Sequence, residues 1–272
     1  MNQWPMFPDL SGKVAVVTGG GGAIGGMIAR GLAANGARVA IWDLSEDAAR
    51  RQAAAIGESV LPVRCDVLDR GAIAGALEET LAAAGAIDIL INGAGGSRKE
   101  ATTAPDLPFF DLQPEHLRRT LALNYESAVL TAQAVGRLFA EKKRGVILNI
   151  ASIAGLRPLT RALSYSNGKA ALVSFTQWLA VHFAREYSPN IRVNALAPGF
   201  VLTEQNRFLL LDEKTGEPTA RGRQIMATVP QGRYGEAGEM VGAALWLVSD
   251  SASFVTGAVI PIDGGLTAFA GV

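Results

Sequence analysis

Residues Val14-Ala15-Val16-Val17-Thr18 run directly into Gly19-Gly20-Gly21-Gly22 and then Ala23-Ile24-Gly25, and no other stretch of this 272-residue chain restricts the possible folds so strongly. An uninterrupted apolar run of that length predicts a strand buried on both faces, as in a parallel sheet covered by helices. Glycines placed immediately after it let the backbone turn sharply and approach a pyrophosphate, and the helix they open offers its N–H groups and positive dipole end to negative charge. The next apolar run, Arg38-Val39-Ala40-Ile41-Trp42, ends in Asp43, eighteen residues after Gly25. A carboxylate at that position can accept hydrogen bonds from ribose hydroxyls. Either signal alone is weak, since tight turns use glycine freely; together they point to a dinucleotide-binding half.

Short apolar runs alternate with longer helical segments over most of the length. Strands are predicted near 13–18, 37–42, 59–64, 87–91, 145–151, 191–197 and 257–262, and helices near 23–35, 45–56, 69–84, 114–141, 163–187 and 236–249. Gly36, Gly57 and Gly85 stand where helix C-termini need a left-handed residue. The expected fold is α/β: a doubly wound, mostly parallel seven-stranded Rossmann sheet with helices on both faces. No repeat, low-complexity tract or linker divides the pattern, so residues 1–272 are read as one domain, with a cofactor half over about 10–150 and a catalytic and substrate half over about 151–272. Two irregular stretches follow strand ends, where open parallel sheets bind ligands. The first, Gly95 to Pro114, carries Arg98 and Lys99; the second, Phe200 to Gly222, contains the polar run Asp212-Glu213-Lys214-Thr215-Gly216-Glu217. Both are expected to wall a substrate pocket.

Composition narrows the function. The 25 basic and 25 acidic residues balance without clustering, which disfavours nucleic acid or an acidic membrane surface as partner. The N-terminus, Met1-Asn2-Gln3-Trp4-Pro5-Met6, lacks the basic start and apolar core of a secretory signal, and no apolar run approaches a bilayer-spanning length. A cytoplasmic protein without a membrane partner is expected. The single cysteine, Cys65, abuts a strand and reads as an inert buried thiol. His116 and His182 are far apart, and no Cys/His/Asp cluster has metal-ligand spacing, so no metal is expected.

Chemistry concentrates in the second half. Ser152 directly follows the strand Val146-Ile147-Leu148-Asn149-Ile150-Ala151, which places its hydroxyl at the same sheet edge as the glycine turn. Tyr165 comes thirteen residues later and Lys169 four after that, stacked one turn apart on a helix face. A neighbouring ammonium favours the phenolate, which brings a tyrosine with an ordinary pKa near 10 into use as a general base.

With these residues in this order, the chain resembles the short-chain dehydrogenase/reductase family, single-domain Rossmann oxidoreductases, over nearly its whole length. The family's Thr-Gly and spaced glycines correspond to Thr18, Gly19, Gly22 and Gly25, with Ala23 where a further glycine is usual and Ile24 beside it. Its Asn-Ala-Gly turn corresponds to Asn92-Gly93-Ala94-Gly95, one glycine longer, and its adenine-contacting turn to Asp66-Val67. The resemblance implies that Asn124 holds a proton-relay water, Ser152 hydrogen-bonds the reacting oxygen, Tyr165 is the acid/base, and Lys169 lowers the tyrosine's pKa and binds the nicotinamide ribose. It further implies that Pro198-Gly199 and Val201 position the nicotinamide, with Thr203 on its carboxamide. Four intact roles argue against a nucleotide-sensing or scaffold protein that has lost catalysis. The resemblance also implies a homotetramer, with the long helices near 114–141 and 163–187 pairing between subunits.

Asp43 can bind a ribose 2′-hydroxyl but would repel a 2′-phosphate, and neither Leu44-Ser45-Glu46 nor the glycine loop brings a basic residue, so NAD is expected in preference to NADP. The C-terminal third is similar to the family's sugar-acid branch, the D-mannonate oxidoreductases or fructuronate reductases, with Arg157-Pro158-Leu159-Thr160 a further match. A polyhydroxylated carboxylate needs a bidentate cation and several polar partners. Arg157, Gln205, Asn206 and Arg207 are the candidates. Another polyol or gluconate-type dehydrogenase, or a 3-oxoacyl reductase, is the alternative, because the core motifs do not separate these.

Overall fold

The computed structural model describes residues 8–203, 207, 210–212 and 215–271. Seven strands form one sheet in the order β3-β2-β1-β4-β5-β6-β7, every neighbouring pair parallel. They are β1 (Val14–Thr18), β2 (Arg38–Asp43), β3 (Val60–Arg64), β4 (Ile89–Asn92), β5 (Gly145–Ile150), β6 (Ile191–Pro198) and β7 (Val259–Ile262). The helices are α1 (Ala23–Ala34), α2 (Glu46–Ile56), α3 (Arg70–Ala84), α4 (Pro114–Leu121), α5 (Ser127–Lys142), α6 (Leu163–Glu186), α7 (Ala220–Thr228) and α8 (Val241–Val248). The chain order reverses between β1 and β4, and there the carboxyl ends of the strands open a crevice that binds ligands in folds of this kind.

Alternating residues of each strand feed two cores. Ala15, Val17, Val39, Ile41, Ile89 and Ile91 pack with Ile28 and Leu32 of α1 and Leu247 of α8 on one face. Val14, Val16, Ala40, Trp42 and Leu90 pack with Ile73 of α3, Phe139 of α5 and Phe183 of α6 on the other. The period-two pattern of a doubly covered sheet thus reads as continuous apolar runs in sequence. Gly36, Gly57 and Gly85 take positive φ values of 90°, 129° and 79° after their helices, as expected.

The structure corrects the expected elements in three places. The predicted helix over 114–141 is interrupted by a π turn at Ala122–Glu126 that contains Asn124. One inserted residue leaves the apolar pattern on either side almost unchanged, so periodicity does not reveal it; π turns of this kind cluster at functional sites. The stretch read as wholly irregular, 200–222, carries an isolated antiparallel bridge between Leu211 and Pro218 and then opens α7, capped by the Thr219 hydroxyl on Gly222 N at 3.0 Å. The predicted helix over 236–249 begins as a 3-10 turn at Ala237–Met240 before α8. Among the described residues, no helix is long and apolar enough to cross a membrane.

Candidate active site

The glycine turn is built by close approach. Gly19 has φ of +65°, and a Cβ there would lie 2.8 Å from the Ala94 backbone; one on Gly25 would lie 2.5 Å from Gly19 O. Thr18 ties this turn to the one after β4, its Oγ1 accepting from Gly93 N at 3.1 Å and Ala94 N at 3.2 Å. A Cβ on Gly93 would stand 2.7 Å from Thr18 O, so the close approach of the two turns requires a glycine there. Gly22 caps α1 without a side-chain hydrogen bond, and the first turn of α1 holds no acidic residue. By contrast, Ser45 and Asp69 cap α2 and α3 with their own side chains. The N–H groups and positive end of α1 are thus left to an external anion, and the Gly19 and Gly25 positions beside them have room only for glycine. These features fit the pyrophosphate of a dinucleotide.

Asp43, at the end of β2, holds Gly21 N with Oδ2 at 3.0 Å and Ser45 N with Oδ1 at 2.9 Å. In register beside it on β3 stands the exposed Arg64, a neighbour the linear sequence does not reveal because 21 residues separate the two. Asp66 accepts from Leu68 N at 2.9 Å, shaping the turn after β3, and Val67 is buried. The adjacent Cys65 thiol is pushed up to about 12, mainly by burial, as an unreactive cysteine should be.

Ser152, Tyr165 and Lys169 come together at the carboxyl end of β5. The Ser152 Oγ accepts from Ala154 N at 3.1 Å and shares a hydrogen bond with the Tyr165 hydroxyl. Lys169 is buried, donates from Nζ to Ile150 O at 2.7 Å, and lies over the Tyr165 ring 5.9 Å from its centroid. A Cβ on Gly95 would sit 3.0 Å from this Nζ and 2.8 Å from Asn124 Oδ1, so the extra-long glycine turn makes room for both. Asn124 in the π turn donates from Nδ2 to Thr120 O and Gly96 O, both at 2.8 Å, and accepts from Gly96 N at 3.0 Å. It clamps the Gly95–Gly96 backbone to the catalytic helices.

The electrostatics differ in direction from the sequence expectation. Burial pushes the Tyr165 phenol above its ordinary value, against the hydrogen bond with Ser152 that lowers it. Burial also holds the Lys169 ammonium down to about 8. Desolvation disfavours the charged form of both groups, so the expected lowering of the tyrosine by the lysine does not prevail in this arrangement.

On the other side, Gly199 packs its Cα against Asp263, where a Cβ would lie 2.7 Å from the Asp263 Cα, and Gly199 N donates to Ile262 O at 2.9 Å. This fixes the Pro198-Gly199 turn beside β7. Val201 bridges Gly235, and Thr203 O accepts from Arg207 N at 2.9 Å. Of the four substrate candidates, Arg157 is exposed and donates to Phe269 O at 3.5 Å, Arg207 is exposed, and Gln205 and Asn206 lie outside the described residues. Sequence reasoning passed over Arg161 and Arg221: Arg161 is exposed with φ of +75°, and burial first, with the charge of Arg161 second, lowers the Arg221 pKa. A cation just before Tyr165 was the available signal for Arg161; Arg221 had none. Among the described residues no group of three His, Cys, Asp or Glu is arranged to hold a metal ion.

A family model described as enoyl-(acyl carrier protein) reductase matches residues 21–267. The "Uncharacterized oxidoreductase UxuB" of Bacillus subtilis is 38% identical over 280 residues, spanning 98% of this chain and 99% of its own. The D-threitol dehydrogenase of Mycolicibacterium smegmatis is 35% identical over 261 residues, spanning 95% of this chain and 94% of its own. Among solved structures, a "putative D-Mannonate oxidoreductase" from Haemophilus influenza with bound NAD superposes with a TM-score of 0.91 at 36% identity, covering 97% of this chain and 98% of that one.

Proposed function

This chain belongs to the short-chain dehydrogenase/reductase family of oxidoreductases acting on CH–OH groups, and we propose that it moves hydride between NAD and a secondary alcohol or ketone of a sugar acid, the D-mannonate/D-fructuronate pair first among them. The observation that carries the reading is the Ser152–Tyr165 hydrogen bond, with Lys169 beneath it, at the sheet edge that also holds the glycine cradle. The sugar-acid assignment is supported by the Haemophilus relative's name and by arginines in the loops flanking that edge.

When bound, the nicotinamide accepts or returns the hydride. Gly19, Gly22, Ala23, Ile24 and Gly25 would hold the pyrophosphate; Asp43 the adenosine ribose; Asp66 and Val67 the adenine; Asn92, Gly93 and Ala94 the face between them; and Pro198, Gly199, Val201 and Thr203 the nicotinamide. Tyr165 Oη takes the hydroxyl proton of the alcohol, or returns it to the ketone oxygen, and Ser152 Oγ hydrogen-bonds the same oxygen. Lys169 places a positive charge under the Tyr165 ring, which favours the phenolate and opposes the effect of burial. Asn124 is proposed to anchor the relay that carries the proton onward, from the π turn that joins α4 to α5.

Asp43 supports NAD over NADP by repelling a 2′-phosphate. The D-threitol dehydrogenase relative favours a neutral polyol as the second reading. Comparing kcat/KM for matched sugar acids and polyols with both nicotinamides decides between them: higher values for the acids with NAD support the assignment, and higher values for the polyols overturn it. The enzyme is also proposed to work as a cytoplasmic homotetramer. The exposed Trp178 and Val181 on α6, and Phe254, whose side chain is wholly exposed, are surfaces that assembly would bury.

A further inference from the structure

β7 ends at Ile262, and the next residue, Asp263, folds the tail of the chain back on itself. Its Oδ1 accepts from Gly265 N at 3.0 Å, and its Oδ2 accepts from Thr267 N at 2.8 Å and from Thr267 Oγ1 at 2.6 Å. Leu266 N donates to Asp263 O at 3.3 Å, and Ala268 N and Phe269 N both donate to Gly265 O at 3.1 Å. Gly264 and Gly265 take φ of +63° and +91°, the left-handed backbone that so tight a turn needs. Burial works against the charge of Asp263, yet the hydrogen bonds prevail and hold its carboxyl below the ordinary value.

The turn packs against two parts of the site at once. On its strand side, Gly199 N donates to Ile262 O at 2.9 Å, and a Cβ on Gly199 would lie 2.7 Å from the Asp263 Cα and 2.8 Å from its Cβ. On its other side, Gly264 O accepts from Gln231 N at 3.2 Å. A Cβ on Gly264 would lie 2.8 Å from Val229 Cγ1, and one on Gly265 3.2 Å from Pro230 Cγ, just past the end of α7. Leu266 packs with Leu210, Ile225 and Val229, a small core that also takes in Phe200 and Leu202, the residues that follow Gly199. That core is distinct from the two that cover the sheet, so α7 takes its position from the segments packed around it. The C-terminal turn is such a segment, and it reaches Gly199 as well.

We propose that Asp263 is a positioning residue for hydride transfer: its carboxylate makes the C-terminal turn a rigid strap that locks the Pro198-Gly199 turn to the end of α7. This deepens the reading given above and rests on its placing of the nicotinamide against Pro198-Gly199. The nicotinamide and the substrate wall that runs from Phe200 into α7 then share one reference, which keeps cofactor and substrate in a fixed relative orientation. Two consecutive glycines make this tail costly to order, and the charge-assisted hydrogen bonds of Asp263 offset that cost. The Asp263 backbone against Gly199 is the cofactor end of the strap, and Leu266 is the α7 end.

The test uses Asp263→Ala, Asp263→Asn and Leu266→Ala, with Leu266→Met as the conservative partner. Trypsin cleavage after Arg221 and Arg223 in α7 follows local opening, and cleavage after the exposed Arg137 in α5 follows opening of the fold as a whole. D263A should speed cleavage in α7 at least about tenfold, the loss of charge-assisted hydrogen bonds, with cleavage at Arg137 unchanged. It should also weaken NAD binding and raise the substrate KM, each about fivefold or more, with D263N falling between. L266A should open α7 and raise the substrate KM while NAD affinity stays within about twofold of wild type, and L266M should restore both. KM is read on whichever of D-mannonate and D-mannitol the wild type turns over better, so a preference for mannitol overturns the sugar-acid reading alone. A smaller folded fraction lowers kcat and leaves KM where it was, so it does not mimic these shifts. Unchanged cleavage in α7, or equal acceleration at Arg137, overturns the strap. Opening of α7 with KM and NAD affinity unchanged assigns Asp263 to the fold alone and also overturns the proposal.

Discussion

Asp43 accepts the Gly21 N–H at 3.0 Å, so the acid that ends β2 holds the glycine turn as well as standing ready for a ribose. Its second oxygen is on Ser45 N at 2.9 Å, at the start of α2. Asp43→Ala therefore removes two roles, whereas Asp43→Asn keeps one acceptor for the turn. D43A should lower stability by about 1–3 kcal/mol, with D43N closer to wild type, when both are unfolded in urea. Equal and negligible losses would show that the turn does not need the carboxylate.

Arg64 bears on cofactor choice because it stands in register beside Asp43 on β3. With the aspartate neutralised, that cation is free to meet a 2′-phosphate. D43N should therefore gain activity with NADP, and the double variant D43N/R64Q should lose that gain while retaining activity with NAD. Specificity constants for both nicotinamides check this. NADP use by D43N that is indifferent to Arg64 contradicts it.

Lys169 makes a pH-dependent contribution to folding. Its ammonium is held down to about 8, mainly by burial, whereas in the unfolded chain it titrates near the ordinary 10.5. Between those values the unfolded state binds more protons, so the stability of the cofactor-free wild type should rise with pH across that window. The rise should reach roughly 3 kcal/mol relative to Lys169→Met, which has no such group. The penalty is fully present below about pH 8 and relieved toward pH 10.5. Urea unfolding of both proteins at pH 7.5 and pH 10 measures it, and parallel pH profiles would contradict the buried ammonium.

Gly93 lies where a Cβ would come 2.7 Å from Thr18 O. Gly93→Ala should push the turn after β4 away from the glycine cradle, weakening NAD binding about tenfold or more and lowering the melting temperature by several degrees. Unchanged NAD affinity would mean that the two turns are not packed together as described.

How much of this was legible in sequence depends on the kind of signal. Strands such as Val14–Thr18 and Ile89–Asn92 announce themselves because burial on both faces demands consecutive apolar residues, and Gly57 and Gly85 mark helix ends because left-handed backbone favours glycine. The π turn around Asn124 was hidden because one inserted residue hardly disturbs the apolar pattern on either side. Helix α7 was hidden by the polar insertion before it, although Pro218-Thr219 is a helix start with its cap in place. Asp43 beside Arg64 is a tertiary relationship, created by sheet register, and no local pattern carries it. The Tyr165 and Lys169 spacing revealed their stacking but not their depth, and depth sets the direction in which each titrates.

The central claim is that Tyr165 exchanges the substrate proton while its neighbours hold NAD and a sugar acid. The most direct measurement is the kcat of Tyr165→Phe on D-mannonate, with NAD affinity determined on the same protein. Removal of the one ionisable oxygen should lower kcat by at least about a hundredfold with NAD affinity within about twofold of wild type. Wild-type kcat in that variant would contradict the account.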